Sequence, residues 1–175
     1  MENRKINKLL VANRGEIAIR VFRAASELNI QTVAIYTYED RFSLHRYKAD
    51  QAFQIGENDD PLKPYLDIKE IIRVARQNDV DAIHPGYGFL SENPEFAKAC
   101  QQAGIIWIGP DPEMMNALGD KLASKEIAKR ANVPIVPATE NPISKLEEVE
   151  KLVDEIGLPV MIKAATGGGL SLIHI

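Results

Sequence analysis

Short apolar runs alternate with amphipathic helical stretches over the first two thirds of the chain. Residues 8–12 read as a strand, after which Ile17, Val21, Phe22, Ala25 and Leu28 recur at the spacing of one helix face. Residues 31–36 make a second strand and 52–55 a weaker third. A loop rich in Gly, Asn, Asp and Pro follows, then a helix whose apolar side carries Ile68, Ile71, Ile72 and Ala75. A strand ending at Ala82-Ile83-His84, a helix from about Pro94 to Ala103 and a buried strand over 105–108 complete the alternation. This order predicts an α/β fold, a mostly parallel sheet covered by helices.

The pattern changes near Gly119. A helix over 121–131, a short strand over 133–136 between prolines, a helix over 145–156 rich in Glu and Lys, and a strand over 159–163 predict a second domain. The boundaries expected are 1–118 for the first domain and 119–169 for the beginning of the second. Residues 170–175, Leu-Ser-Leu-Ile-His-Ile, fit neither pattern. They can be encoded by CTGTCTCTTATACACATC, which resembles the adaptor end of transposase-based sequencing libraries, so they are expected to be non-native and are set aside.

Composition alters this picture only by exclusion. The chain has 175 residues, 45% of them hydrophobic and 26% charged, enough for a packed core and not a disordered segment. A formal charge of −4 gives no general attraction to nucleic acid or an anionic membrane, so any anion site must be local. No apolar run reaches the ~18 residues of a spanning helix, and residues 1–5 lead into a strand without a signal-peptide pattern, which makes the cytoplasm the expected compartment. Cys100 is the single cysteine and sits at helical spacing with Phe96, Ala97 and Ala103, as a small buried hydrophobe does.

Candidate chemistry gathers at strand exits. Lys163 leaves the apolar run Pro159-Val160-Met161-Ile162 just before Ala164-Ala165-Thr166-Gly167-Gly168-Gly169. There a fixed charge and side-chain-free backbone amides can meet a phosphate. An ordinary strand exit with a solvated lysine has the same pattern, and the Walker order of glycines before lysine is absent. Gly119-Asp120-Lys121 precedes a helix that Asp120 can cap, and Lys121 with Lys163 supplies two cations able to converge on one polyphosphate. The first strand runs into Ala12-Asn13-Arg14-Gly15-Glu16, where a dinucleotide fingerprint would need two further glycines. Glu39 and Asp40 therefore only mimic the ribose-binding acid, and Gly15 reads as a tight turn. The run His84-Pro85-Gly86-Tyr87-Gly88-Phe89-Leu90-Ser91-Glu92-Asn93 falls at the carboxyl edge of the sheet. In it Tyr87, between glycines, is the expected contact, while His84 reads as structural and Phe89 as a core plug.

Residues 10–18, the decapeptide 84–93, Gly119-Asp120-Lys121 and Val160-Met161-Ile162-Lys163-Ala164 resemble the biotin carboxylase family over nearly the whole chain. Residues 40–50 and 65–68 are most similar to its pyruvate-carboxylating members. The resemblance implies a Rossmann-like first domain followed by the start of an ATP-grasp domain. It also implies that ATP with magnesium phosphorylates bicarbonate, whose carbon passes to a biotin held on a carrier domain. A carboxyltransferase domain would then hand that carbon to pyruvate. Lys121, Lys163, Gly167, Gly168 and Gly169 match the family's ATP-binding positions, and Tyr87 matches a residue of the biotin pocket. Arg20, Arg23 and Glu27 match a self-association face, so the expected complete protein is a homo-oligomer. No residue matches the family's magnesium acids, bicarbonate arginine or catalytic glutamate, and Leu170 stands where a fourth glycine is usual. The chain is thus expected to be an inactive fragment of the enzyme with no catalytic or metal residue of its own. A biotin carboxylase subunit of acetyl-CoA carboxylase and a non-catalytic nucleotide-binding or assembly module are the alternatives.

Overall fold

The computed structural model describes residues 4–57, 60–119 and 121–135, and, further on, residues 148, 149, 151, 153, 154, 157 and 158. The chain divides into two units, 1–115 and 116–175.

In the first unit, β1 (Lys8–Val11), β2 (Gln31–Tyr36), β3 (Gln51–Gln54), β4 (Ala82–His84) and β5 (Ile106–Trp107) form a sheet in the order β3-β2-β1-β4-β5. Every pairing is parallel. The helices α1 (Gly15–Glu27), α2 (Leu44–Lys48), α3 (Ile68–Gln77) and α4 (Pro94–Gln102) lie in the connections. Parallel strands covered on both faces are apolar on both sides, which is why Leu9, Leu10 and Val11, or Val33, Ala34 and Ile35, run without a polar break.

The two faces differ in side-chain size. Leu10, Val33, Ile35 and Ile83 meet Ile71, Val74, Phe96 and Cys100 of α3 and α4. On the other face Val11 and Ala34 receive Ala18 and Phe22 of α1, while Leu9 and Ala82 receive Ala25. Small residues there let α1 approach closely. Asp67 caps α3 through the amide of Glu70, and Asn93 caps α4 through the amides of Glu95 and Phe96 with Pro94 just inside the helix.

Several sequence expectations shift. Leu28 is 71% exposed, because α1 ends at Glu27 and the chain turns away through Asn29 at φ +58. The expected strand over 105–108 shortens to two residues, half-buried at the sheet's edge. Helix α2 has no counterpart in the apolar pattern, since Leu44 and Tyr47 are exposed while His45 is buried.

Helix α5 (Pro112–Gly119) spans the break between units, and α6 (Lys121–Arg130) belongs to the second. Residues 133–135, expected to start a strand, are not in one. The strand expected over 159–163, the glycines after it and the tail over 170–175 lie outside the described residues.

Candidate functional site

Between β1 and β4 the connectivity of the sheet reverses, and open α/β folds bind ligands outside the carboxyl ends of strands at such a point. Here the switch point is bridged by a side chain. Asn13, 1% exposed, follows β1 and donates from Nδ2 to the carbonyls of Pro85 at 2.8 Å and Tyr87 at 3.0 Å. Its Oδ1 accepts the amide of Arg14 at 2.9 Å. A Cβ on Gly86 would sit 2.7 Å from Asn13 Nδ2 and 2.8 Å from Ile17 Cγ2, so the contact requires glycine.

Arg14 turns to the neighbouring loop. Its Nε and Nη2 donate to the two carboxylate oxygens of Asp40, each at 2.6 Å, the paired fork that suits a guanidinium and a carboxylate. Asp40 is 3% exposed and also accepts from Ser43 Oγ at 2.7 Å and Tyr65 OH at 2.8 Å. Burial alone would raise its pKa. The hydrogen bonds from Arg14, Ser43 and Tyr65 outweigh that and hold it at about 2. The same arrangement pushes the Tyr65 phenol up, by burial first and by Asp40 second, and raises Arg14 through its bond to Asp40. Tyr65, fully buried, stacks on Phe89 with ring centres 5.3 Å apart and planes 17° off parallel.

The strand-end loops are therefore tied into one circuit, with Tyr87 at its rim and 58% exposed. Asp40 only resembles a ribose-binding acid in its position, as expected, because its oxygens are taken by Arg14, Ser43 and Tyr65. Gly15 has φ +61, the turn expected of it. His84 is structural: its Nδ1 accepts the amide of Gly86 at 2.9 Å, and burial lowers its pKa. Phe89 packs against the core. His45 is fully buried with Nε2 3.2 Å from the carbonyl of Ile35, and burial lowers its pKa also.

On α1, Arg23 pairs with Glu27 at 3.3 Å on an exposed surface. Lys121 begins α6, and its side chain, like the whole of Asp120, Lys163, Gly167, Gly168 and Gly169, is outside what the structure describes. Among the described residues no group of His, Cys, Asp and Glu side chains is gathered to hold a metal. The circuit of Asn13, Arg14, Asp40 and Tyr65 escaped the sequence reading. The available signal was a charge after each of two strands that prove to be neighbours.

A family model for the biotin carboxylase N-terminal domain matches residues 5–115, and one for the ATP-binding domain of the carbamoyl-phosphate synthase L chain matches 120–171. The chain belongs to the biotin carboxylase family. It is 53% identical over 169 residues to the pyruvate carboxylase of Bacillus subtilis, a match covering 97% of this chain and 15% of that protein. Among solved structures, pyruvate carboxylase of Rhizobium etli with the allosteric activator acetyl coenzyme A aligns with a TM-score of 0.82. The identity is 53%, over 95% of this chain and 15% of that one. The biotin carboxylase domain of Hydrogenobacter thermophilus 2-oxoglutarate carboxylase, solved with MgADP, ADP and bicarbonate, aligns at 0.86 with 47% identity, over 95% and 36% of the two chains. The chain thus spans about 15% of the length of the pyruvate carboxylases it matches.

Proposed function

We propose that the chain is the N-terminal part of the biotin carboxylase region of a pyruvate carboxylase. In that enzyme ATP drives the transfer of bicarbonate carbon to a carrier-bound biotin, and pyruvate receives it to give oxaloacetate. The observation that carries this reading is the loop over 84–93, which keeps the family's order of residues and is fixed at the switch point of a sheet of the family's class. Residues 1–118 are the first domain and 119–169 the start of the ATP-grasp domain, with 170–175 set aside as non-native. Lys121, Lys163 and Gly167, Gly168 and Gly169 bind the nucleotide phosphates, where fixed cations stabilise the charge that moves as bicarbonate is activated. Tyr87 contacts biotin. Magnesium ligands, the biotin carrier and the carboxyltransferase belong to other parts of the enzyme, which works as a homo-oligomer in the cytoplasm.

Identity to pyruvate carboxylases supports pyruvate as acceptor, whereas the likeness to the 2-oxoglutarate carboxylase domain supports a second reading in which 2-oxoglutarate takes its place. Fixation of labelled bicarbonate by the complete enzyme separates them. Label recovered in oxaloacetate, dependent on ATP and biotin, is the expected result. Label transferred only to 2-oxoglutarate or acetyl-CoA moves the assignment to that acceptor, and no ATP-dependent fixation at all refutes it.

A further inference from the structure

Tyr87 stands in a strained stretch of backbone. Gly86 has φ +68, Gly88 φ +70 and Phe89, which is not glycine, φ +45. Such conformations persist only where the surroundings over-determine them. Two anchors do so here, one on each side of Tyr87. Before it, the Asn13 amide holds the carbonyls of Pro85 and of Tyr87 itself. After it, the Phe89 ring lies on Tyr65, whose hydroxyl is held by Asp40. The anchors are joined to each other, because Asp40 holds Arg14, whose amide is bonded to Asn13. From Asn13 the path runs to Tyr87, along the backbone through Gly88 to Phe89, and then by contacts through Tyr65, Asp40 and Arg14 back to Asn13. Tyr87 is the most exposed side chain on this path, at 58%, while Asn13, Asp40 and Tyr65 are buried.

We propose that Asn13, Arg14, Asp40 and Tyr65 are positioning residues for biotin: their closed circuit fixes the backbone on both sides of Tyr87 and so aims its ring at the substrate. The proposal rests on the reading of Tyr87 as a biotin contact. It assigns a role in substrate binding to a largely buried network that acts through the Tyr87 ring. Core packing alone would not need it, since Tyr65 could fill its site as phenylalanine. Ordering a contact before the ligand arrives removes part of the cost of binding, so loosening the circuit weakens biotin binding while leaving the nucleotide alone.

The test uses the complete enzyme with free biotin as substrate. Tyr65→Phe keeps the ring stacked on Phe89 and removes only the hydroxyl, so the fold survives even if the harsher Asn13→Asp unfolds. Expected are faster amide hydrogen exchange at 86–89 and a biotin KM raised roughly tenfold, about 1.4 kcal/mol, with the KM for ATP unchanged. Tyr87→Ala raises the biotin KM at least as much, and adding Tyr65→Phe to it raises KM no further, because both act through one contact. If Tyr65→Phe leaves exchange and biotin KM at native values while Tyr87→Ala raises KM, the positioning proposal falls and the biotin assignment stands. If Tyr65→Phe loosens the loop but Tyr87→Ala leaves the biotin KM unchanged, the biotin assignment itself is wrong and the positioning role goes with it. Full additivity of the two substitutions also overturns the proposal, by showing that Tyr65 acts through general stability.

Discussion

Replacing Asp40 by asparagine keeps the side chain's shape and removes the charge that closes the circuit. In the native chain the Asp40 carboxyl drops from its ordinary 3.8 to about 2, which corresponds to about 2.5 kcal/mol of stability at neutral pH. The carboxyl is almost fully buried, so little of this is lost to solvent screening, and Arg14, 42% exposed, can rehydrate once its partner is neutral. Asp40→Asn should therefore destabilise the first unit by about 2–3 kcal/mol at pH 7. The sign with pH follows from the depressed pKa. The contribution is complete above the unfolded value near 4 and is lost as pH falls toward about 2, so the gap between native and variant should shrink to roughly half by pH 3. Urea unfolding of the chain followed by Trp107 fluorescence reads this directly. Trp107 is the only tryptophan and packs edge-on against Phe96, with ring centres 5.3 Å apart, inside the first unit. A gap below ~0.5 kcal/mol at pH 7, or one that stays constant from pH 7 to pH 3, would refute the account of Asp40.

Glycine substitutions separate close approach from backbone strain alone. Gly86→Ala meets Asn13 and Ile17 within 2.8 Å at a positive φ, and should lower stability by about 3 kcal/mol. Gly15→Ala has φ +61 but open space around it, and should cost only about 1–2 kcal/mol; equal losses in urea titrations would remove the argument that Asn13 presses on Gly86. Cys100 is fully buried and its thiol is pushed up to about 12 by burial. Alkylation by iodoacetamide at pH 8 should proceed only as the chain unfolds, and rapid labelling of folded protein would show the packing of α4 to be wrong.

The sheet was legible because parallel strands buried on both faces leave apolar runs such as Val33, Ala34 and Ile35, and because Pro94 marks the start of α4. Helix α2 was not, since it is five residues long and inverts the usual polarity, burying His45 while exposing Leu44 and Tyr47. Periodicity carried α1 one residue too far, to Leu28, because an apolar residue just past a helix end continues the pattern without continuing the burial. At the site, the loop over 84–93 could be found from its proline and glycines. The pairing of Arg14 with Asp40 could not, because the partners are 26 residues apart and only the adjacency of β1 and β2 brings their loops together. Asp40 alone was ambiguous, a charged residue after a strand whose ligand or partner no local pattern names.

In the proposed function, Lys163 of this chain supplies a phosphate-binding charge to the complete biotin carboxylase. In the complete enzyme Lys163→Met keeps most of the apolar stem and removes the charge. Losing one such contact to a transferring phosphoryl group commonly costs about 3 kcal/mol, roughly a hundredfold in rate. The decisive measurement is the initial rate of carboxybiotin formation at subsaturating ATP, with folding of native and variant enzymes checked by circular dichroism. A fall of about a hundredfold in a folded variant, with Lys163→Arg restoring only part of it because a planar fork is not a compact ammonium, is the result predicted. Near-native rates in folded Lys163→Met would contradict the phosphate-binding role and leave Lys163 an ordinary strand-exit lysine.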